Sequence, residues 1–160
     1  MLKKNISNKK NIPLRLYKKI LEILPIFCVD IILNSGDTVF LFKRAYEPAK
    51  GKWWLIGGRV LRGETIEGAV IRKVKEEVGV DAKIRKMVGI YEHFFPVNRF
   101  DTAKKKIGTH SICACFLVEP AKKNFSFRLN EEYTAYKAIK KINKRLHPYI
   151  KKALGDSGFK

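Results

Sequence analysis

Glutamine is absent from this chain of 160 residues, and acidic side chains are scarce, with 15 Asp and Glu against 34 Lys and Arg. The resulting charge of +19 attracts polyanions of every kind, whether nucleotides, nucleic acid or acidic membranes. The lysines are spread along the whole chain, and a lysine-rich bias is also found in thermophile proteins. The charge is therefore read as background that helps steer an anionic substrate, and no specific nucleic-acid partner is expected. Cysteine is limited to Cys28, Cys113 and Cys115, an odd number set in apolar, strand-like runs. That fits reduced, buried thiols better than disulfides or zinc ligation. The most apolar stretch, Ile20–Leu33, is interrupted by Glu22, Pro25 and Asp30, so it is not a spanning helix. The opening MLKKNISNKKN has no apolar core and does not read as a signal peptide. A cytoplasmic protein without a membrane partner is the expectation.

An apolar fraction of 46% in a chain of this length supports a single domain with its own core. Residues 1–12 read as a basic N-terminal tail, 13–154 as the domain and 155–160 as a C-terminal tail. Pro13 suits the first position of a helix through Ile23, with Leu14, Tyr17, Leu21 and Leu24 on one face. Ile26–Leu33 and Thr38–Arg44 read as strands joined by the turn Asn34-Ser35-Gly36-Asp37. Tyr46–Lys52 reads as a loop, and Trp53–Ile56 as a short strand leading to Gly57-Gly58. Ala82–Phe95 and Ser111–Val118 read as longer strands, with Asn124–Leu129 and Thr134–Ile139 as short additions. Pro148 either starts the last helix or kinks it. This order predicts an α/β fold, a mixed sheet packed between helices.

The stretch Gly58–Val80, GRVLRGETIEGAVIRKVKEEVGV, carries the chemistry. Glycine at 57 and 58 permits a tight turn and close approach to a ligand. A helix follows from about Glu67 to Val78, closed by Gly79 in a left-handed cap. Val70, Val74 and Val78 make a buried stripe on it. Arg72, Glu76 and Glu77 are assigned to the exposed side, where adjacent carboxylates suit a hard divalent cation.

These residues resemble the Nudix box, Gly-x5-Glu-x7-Arg-Glu-U-x-Glu-Glu-x-Gly-U, with U an aliphatic residue. Gly58, Glu64, Arg72, Val74, Glu76, Glu77, Gly79 and Val80 fall in register, whereas Lys73 stands where the family has its first helical glutamate. The resemblance implies an α/β/α sandwich, a hydrolase of nucleoside diphosphate-linked substrates, and Mg2+ or Mn2+ held by the Gly58 carbonyl with Glu76, Glu77 and Glu132.

Within the family, PAKGKWWLIGGRV preceded by Lys43-Arg44, Asp30, and YEHFF followed by a loop with Asn98 and Phe100 look like the GDP-mannose mannosyl hydrolases. That likeness implies cleavage of a sugar C–O bond, giving GDP and free sugar, and a homodimer. Arg44, Arg59 and Arg72 are candidate phosphate ligands, and Asp30 and His93 are candidates for sugar hydroxyls or for polarising water. Arg59, Arg72, Glu76, Glu77 and Glu132 form the candidate catalytic set. Glu64 is assigned to support of the loop, and Trp53 and Trp54 to packing. The mannosyl hydrolase Gln-His pair aligns with Glu132 and Tyr133, and a tyrosine of ordinary pKa ~10 is a poor base. Two other readings stay open: P–O cleavage of a nucleotide sugar, and a non-catalytic binding module, motivated by Lys73 and Tyr133.

Overall fold

The run Ile26–Ser35 (β1) is apolar on both faces, and the structure, a computed structural model describing residues 12–160, buries it from Val29 to Leu33. Apart from Ile12, the expected basic tail lies outside the described residues. A turn with Gly36 at φ 62° returns the chain as Thr38–Arg44 (β2). Such a φ favours glycine, which has no Cβ to clash. β1 and β2 pair beside the turn, at Leu33–Ser35 with Phe40–Thr38. Further along, Ile56–Arg59 (β4) lies antiparallel against Cys28–Ile31 instead. β2 continues with Trp53–Trp54 (β3) and Tyr133–Ile139 (β7) as neighbours. β4 thus takes the place of β2 beside the first half of β1.

On its other side β1 runs parallel to Thr109–Pro120 (β6), which pairs antiparallel with Ala82–Phe95 (β5). The sheet has seven strands and is mixed. Ile66–Val78 (α2) covers one face, its Val70, Val74 and Val78 packing with Val29, Ile31, Leu33 and Phe116. Pro148–Ser157 (α3) covers the other, where Ile150, Ala153 and Leu154 meet Ile32, Leu41, Leu55 and Cys115. Strand alternation puts Asp30 on the same face as Ile32, beneath α3. The expected α/β/α arrangement is the observed one.

Several elements differ from the sequence reading. The stretch Trp53–Ile56 divides between β3 and β4, which pair with different strands. Residues 124–129 form no strand, although Phe125, Phe127 and Leu129 pack on the α2 side of the core. The Arg128 and Asn130 amides donate to the carbonyls of Val78 and Glu77, so this segment completes the end of α2 rather than a sheet edge. α3 runs on to Ser157 beyond the expected boundary at Leu154, and Phe159 packs on its core. Leu14–Ile23 (α1) forms as expected but buries no residue, leaving Leu14 and Leu24 exposed. All three cysteines are free thiols, with Cys113 and Cys115 buried.

Candidate active site

A cleft lined by residues of β1, β4 and α2 and by the loop after β5 has a volume of about 520 Å3, within the ~300–1,000 Å3 range of small-molecule sites. Gly57 and Gly58 form part of its wall. A side chain at Gly57 would meet Asp30 Oδ1 at 2.5 Å, and one at Gly58 would meet Lys73 Cε at 2.7 Å and Nζ at 2.9 Å. The glycine pair thus lets an acid and a cation approach the same short piece of backbone. Gly58 also has φ 156°.

The structure brings Asp30, Arg44, Gly58, Arg59, Glu77, His93 and Glu132 to the cleft, together with Lys73 and Arg99. Arg59 stacks its guanidinium 4.9 Å from the Tyr17 ring centre, and Arg99 lies 4.2 Å from that of Tyr46. Arg44 is aimed by a 2.8 Å hydrogen bond from Nε to the Pro48 carbonyl. Arg99 donates to Glu132 Oε1 at 2.9 Å. One wall of the cleft is therefore cationic while one of its carboxylates is already paired.

Arg72 and Glu76 do not line it. Arg72 makes a two-pronged contact with Glu64, at 2.6 and 2.9 Å, and also reaches Glu76 and the Arg59 carbonyl. Glu64 Oε1 accepts the Leu61 amide at 2.6 Å, and the Thr65 hydroxyl caps α2 through the Gly68 amide. Arg72 is thus a clamp on the turn between β4 and α2, and Glu64 has the supporting role expected of it.

The assignment of Glu77 to the exposed side of the helix is corrected. Its side chain is 2% exposed, accepts the Tyr133 hydroxyl at 2.6 Å and pairs with the Lys73 ammonium. Burial pushes its carboxyl above the usual range, against the opposing pull of Lys73 and Tyr133. Tyr133 is enclosed in the α2-side core, and burial, then the nearby Glu77 charge, drive its hydroxyl well above 10. It acts here as a donor and is not a general base.

The donors expected for Mg2+ or Mn2+ do not fit a divalent ion as arranged. Glu76 is bound by Arg72, Glu77 by Lys73 and Tyr133, and Glu132 by Arg99. Each expected carboxylate already has a cation of the chain, and the ammonium of Lys73 lies against Gly58. Among the described residues, the ligand-type side chains within 4.8 Å of one another are instead Asp30, His93 and Cys113. That group is a hydrogen-bonded cluster in the cleft lining: Asp30 Oδ2 lies 3.0 Å from His93 Nε2 and also accepts the Tyr149 hydroxyl, while Cys113 leans on Ser111. Burial disfavours the charged His93 ring, but Asp30 and Cys113 outweigh it and push the ring up to about 9. Burial, and then the Asp30 charge, raise the Tyr149 hydroxyl, which keeps it a donor.

Trp54 packs in the α3-side core and Trp53 under Lys137, as expected of packing residues. The loop after β5 is drawn together by Asp101, which accepts the amides of Asn98 and Ile107, and by Asn98, which reaches the Gly108 carbonyl. Its lysines 104–106 do not line the cleft, and Lys105 pairs with Glu22 on α1. Sequence reasoning missed Arg99 and Tyr149. Arg99 sits beside Phe100 in a long loop, a position open to suspicion, whereas Tyr149 is 119 positions from the Asp30 it serves.

A family model described as NUDIX domain matches residues 25–152. Low-salt glycan biosynthesis protein Agl8 of Haloferax volcanii is 29% identical over 138 residues, covering 86% of this chain and 85% of its own length. An ADP-ribose pyrophosphatase of Methanocaldococcus jannaschii is 41% identical over 85 residues, covering 52% of this chain and 50% of its own. Among solved structures, a MutT NUDIX hydrolase from Burkholderia pseudomallei superposes with a TM-score of 0.64 at 22% identity, over 82% of this chain and 97% of that one, which is a likeness of fold.

Proposed function

Because the chain belongs to the Nudix family, whose model spans residues 25–152, we propose that it hydrolyses a nucleoside diphosphate sugar such as GDP-mannose at the sugar C–O bond. The observation that carries this reading is the composition of the cleft. Arg44, Arg59, Lys73 and Arg99 offer cationic donors for a diphosphate, and the Asp30–His93 pair offers both an acceptor and a donor for sugar hydroxyls. The similarity to a glycan biosynthesis protein over most of both chains supports a sugar-bearing substrate.

In this reading Arg44 and Arg59 bind the diphosphate from the cleft wall. Glu132, held by Arg99 through one oxygen, uses the other to take a proton from water. That water attacks the anomeric carbon, the C–O bond breaks, and the nucleoside diphosphate leaves with the bonding electrons. Stabilised by the guanidinium groups, this leaving group is expelled as an anion and needs no proton donor. The buried Asp30–His93–Tyr149 chain fixes the orientation of the groups that meet the sugar.

The second reading, P–O cleavage, is favoured by the similarity to an ADP-ribose pyrophosphatase. Hydrolysis of nucleotide sugars in 18O-labelled water, with products identified by mass, separates them. Label in the free sugar alongside GDP supports C–O cleavage. Label in GMP or sugar phosphate supports P–O cleavage. Binding of nucleotide sugars without products, with and without Mg2+ or Mn2+, would reduce the protein to a binding module.

A further inference from the structure

The family box places a carboxylate where this chain has Lys73, and that side chain folds inward. Its side chain is 16% exposed. Its ammonium pairs with Glu77 one turn on and touches the space over Gly58, the two groups expected to hold a divalent ion. We propose that the Lys73 ammonium is the resident cation of this site, taking the place of a divalent ion and supplying a direct contact to the diphosphate. The second half of the proposal rests on the reading of the cleft as a nucleoside diphosphate site.

Four observations converge on it. Lys73 and Glu77 both line the cleft, so the half-buried Lys73 side chain borders the space a ligand occupies. Gly58 has no side chain to displace it, since a Cβ there would lie 2.7 Å from Lys73 Cε. Glu77 receives the Tyr133 hydroxyl as well, which fixes the carboxylate that fixes the ammonium. Glu76 and Glu132, the other expected ligands, are turned to Arg72 and Arg99. A lysine ammonium has three donors, so pairing with Glu77 leaves others for phosphate oxygens. A single positive charge fixed by the chain neutralises less than a divalent ion does, and the surrounding arginines contribute the remainder.

The inference is tested on the full chain by calorimetric titration with GDP in EDTA and in Mg2+, and by Mn2+ titration read by electron paramagnetic resonance. The expected result is that wild type binds GDP in EDTA within about threefold of its affinity in Mg2+, because the site's cation is its own. Lys73→Met is expected to lower that affinity at least about tenfold, the loss of one charge-assisted hydrogen bond. Lys75→Met removes the same charge from the exposed side of α2, where Lys75 pairs with Asp81, and is expected to change GDP affinity by less than about twofold. Because Lys73→Met leaves Glu77 buried and unpaired, the double variant Lys73→Met/Glu77→Gln, which leaves no lone charge, serves as the folded control and is expected to show the same tenfold loss. Mn2+ alone is expected to bind Lys73→Glu at least about tenfold tighter than wild type. Equal Mn2+ binding by the two proteins, or GDP binding by wild type that vanishes in EDTA, would overturn the proposal. Absence of GDP binding in both buffers would overturn the nucleoside diphosphate reading, while the Mn2+ comparison still decides whether Lys73 holds the cation position.

Discussion

The hydroxyl of Tyr133 donates to Glu77 Oε2 at 2.6 Å, tying the first residue of β7 to the last turn of α2 inside the core. This contact turns a carboxylate of the family box into a buried structural group and binds the site to the sheet behind it. Removal of the hydroxyl leaves one Glu77 oxygen without that donor in a place closed to bulk water. Tyr133→Phe is therefore expected to cost about 1–3 kcal/mol, measured by urea unfolding. A loss below about 0.5 kcal/mol would show that Lys73 and the Gly57 amide satisfy Glu77 without the hydroxyl.

Arg72 holds Glu64, Glu76 and the Arg59 carbonyl at once, using its planar fork. Lysine carries the charge but cannot reproduce that geometry. Arg72→Lys is expected to destabilise the protein by about 1–3 kcal/mol and to speed amide exchange at Leu61, whose N–H is held by Glu64. Unchanged exchange at Leu61 would separate Arg72 from the support of this turn.

The His93–Asp30 pair makes stability depend on pH. Against the opposing effect of burial, Asp30 and Cys113 push the ring up to about 9 in the folded protein from an ordinary 6.5. A raised folded value means that the folded state binds the proton more tightly. The stabilisation is full below about pH 6.5 and is lost as pH rises through about 9, amounting to at most about 3 kcal/mol. Unfolding free energy measured from pH 6 to 9.5 is expected to fall in wild type and to flatten in His93→Gln. Parallel curves for the two proteins would assign the slope to other groups.

Glu132 is the carboxylate given the work of general base. Glu132→Gln is expected to lower kcat by about 10²–10⁴-fold while GDP affinity stays within about threefold, since the amide still accepts from Arg99. Full turnover in that variant would move the base elsewhere in the cleft.

The helix boundaries of α2, its Gly79 cap at φ 75° and the whole of β5 were legible because each rests on local signals. The valines repeat every fourth residue, the glycine takes a backbone angle that other residues avoid, and β5 is rich in β-branched and aromatic residues toward its end. Glu77 belongs to the buried stripe of α2 although it is not aliphatic. It follows Val70 by seven positions, which at about 100° per residue brings it within about 20° of the same direction. The periodicity marks it as buried, against the general preference of carboxylates for water. Residues 124–129 failed for another reason: alternating Phe125, Phe127 and Leu129 say which side is buried but not where the amides go. Their partners are the carbonyls that end α2, about fifty positions away. Asp30 and His93 were recognised individually, but Tyr149, which completes their network, is visible only once α3 is packed against the sheet.

The rim of the cleft is built differently from its floor. α1 buries none of its residues and meets the site through Tyr17, which stacks edge-on with Phe100 and lies under Arg59, and through the pair Glu22–Lys105. The sheet gains little from these contacts, so segments of this kind open at a small fraction of the global unfolding free energy. The entrance to the cleft and the valine core beneath the sheet are consequently carried by separate parts of the chain. Substitutions along α1 can therefore reshape the entrance to the cleft without disturbing the valine stripe of the core.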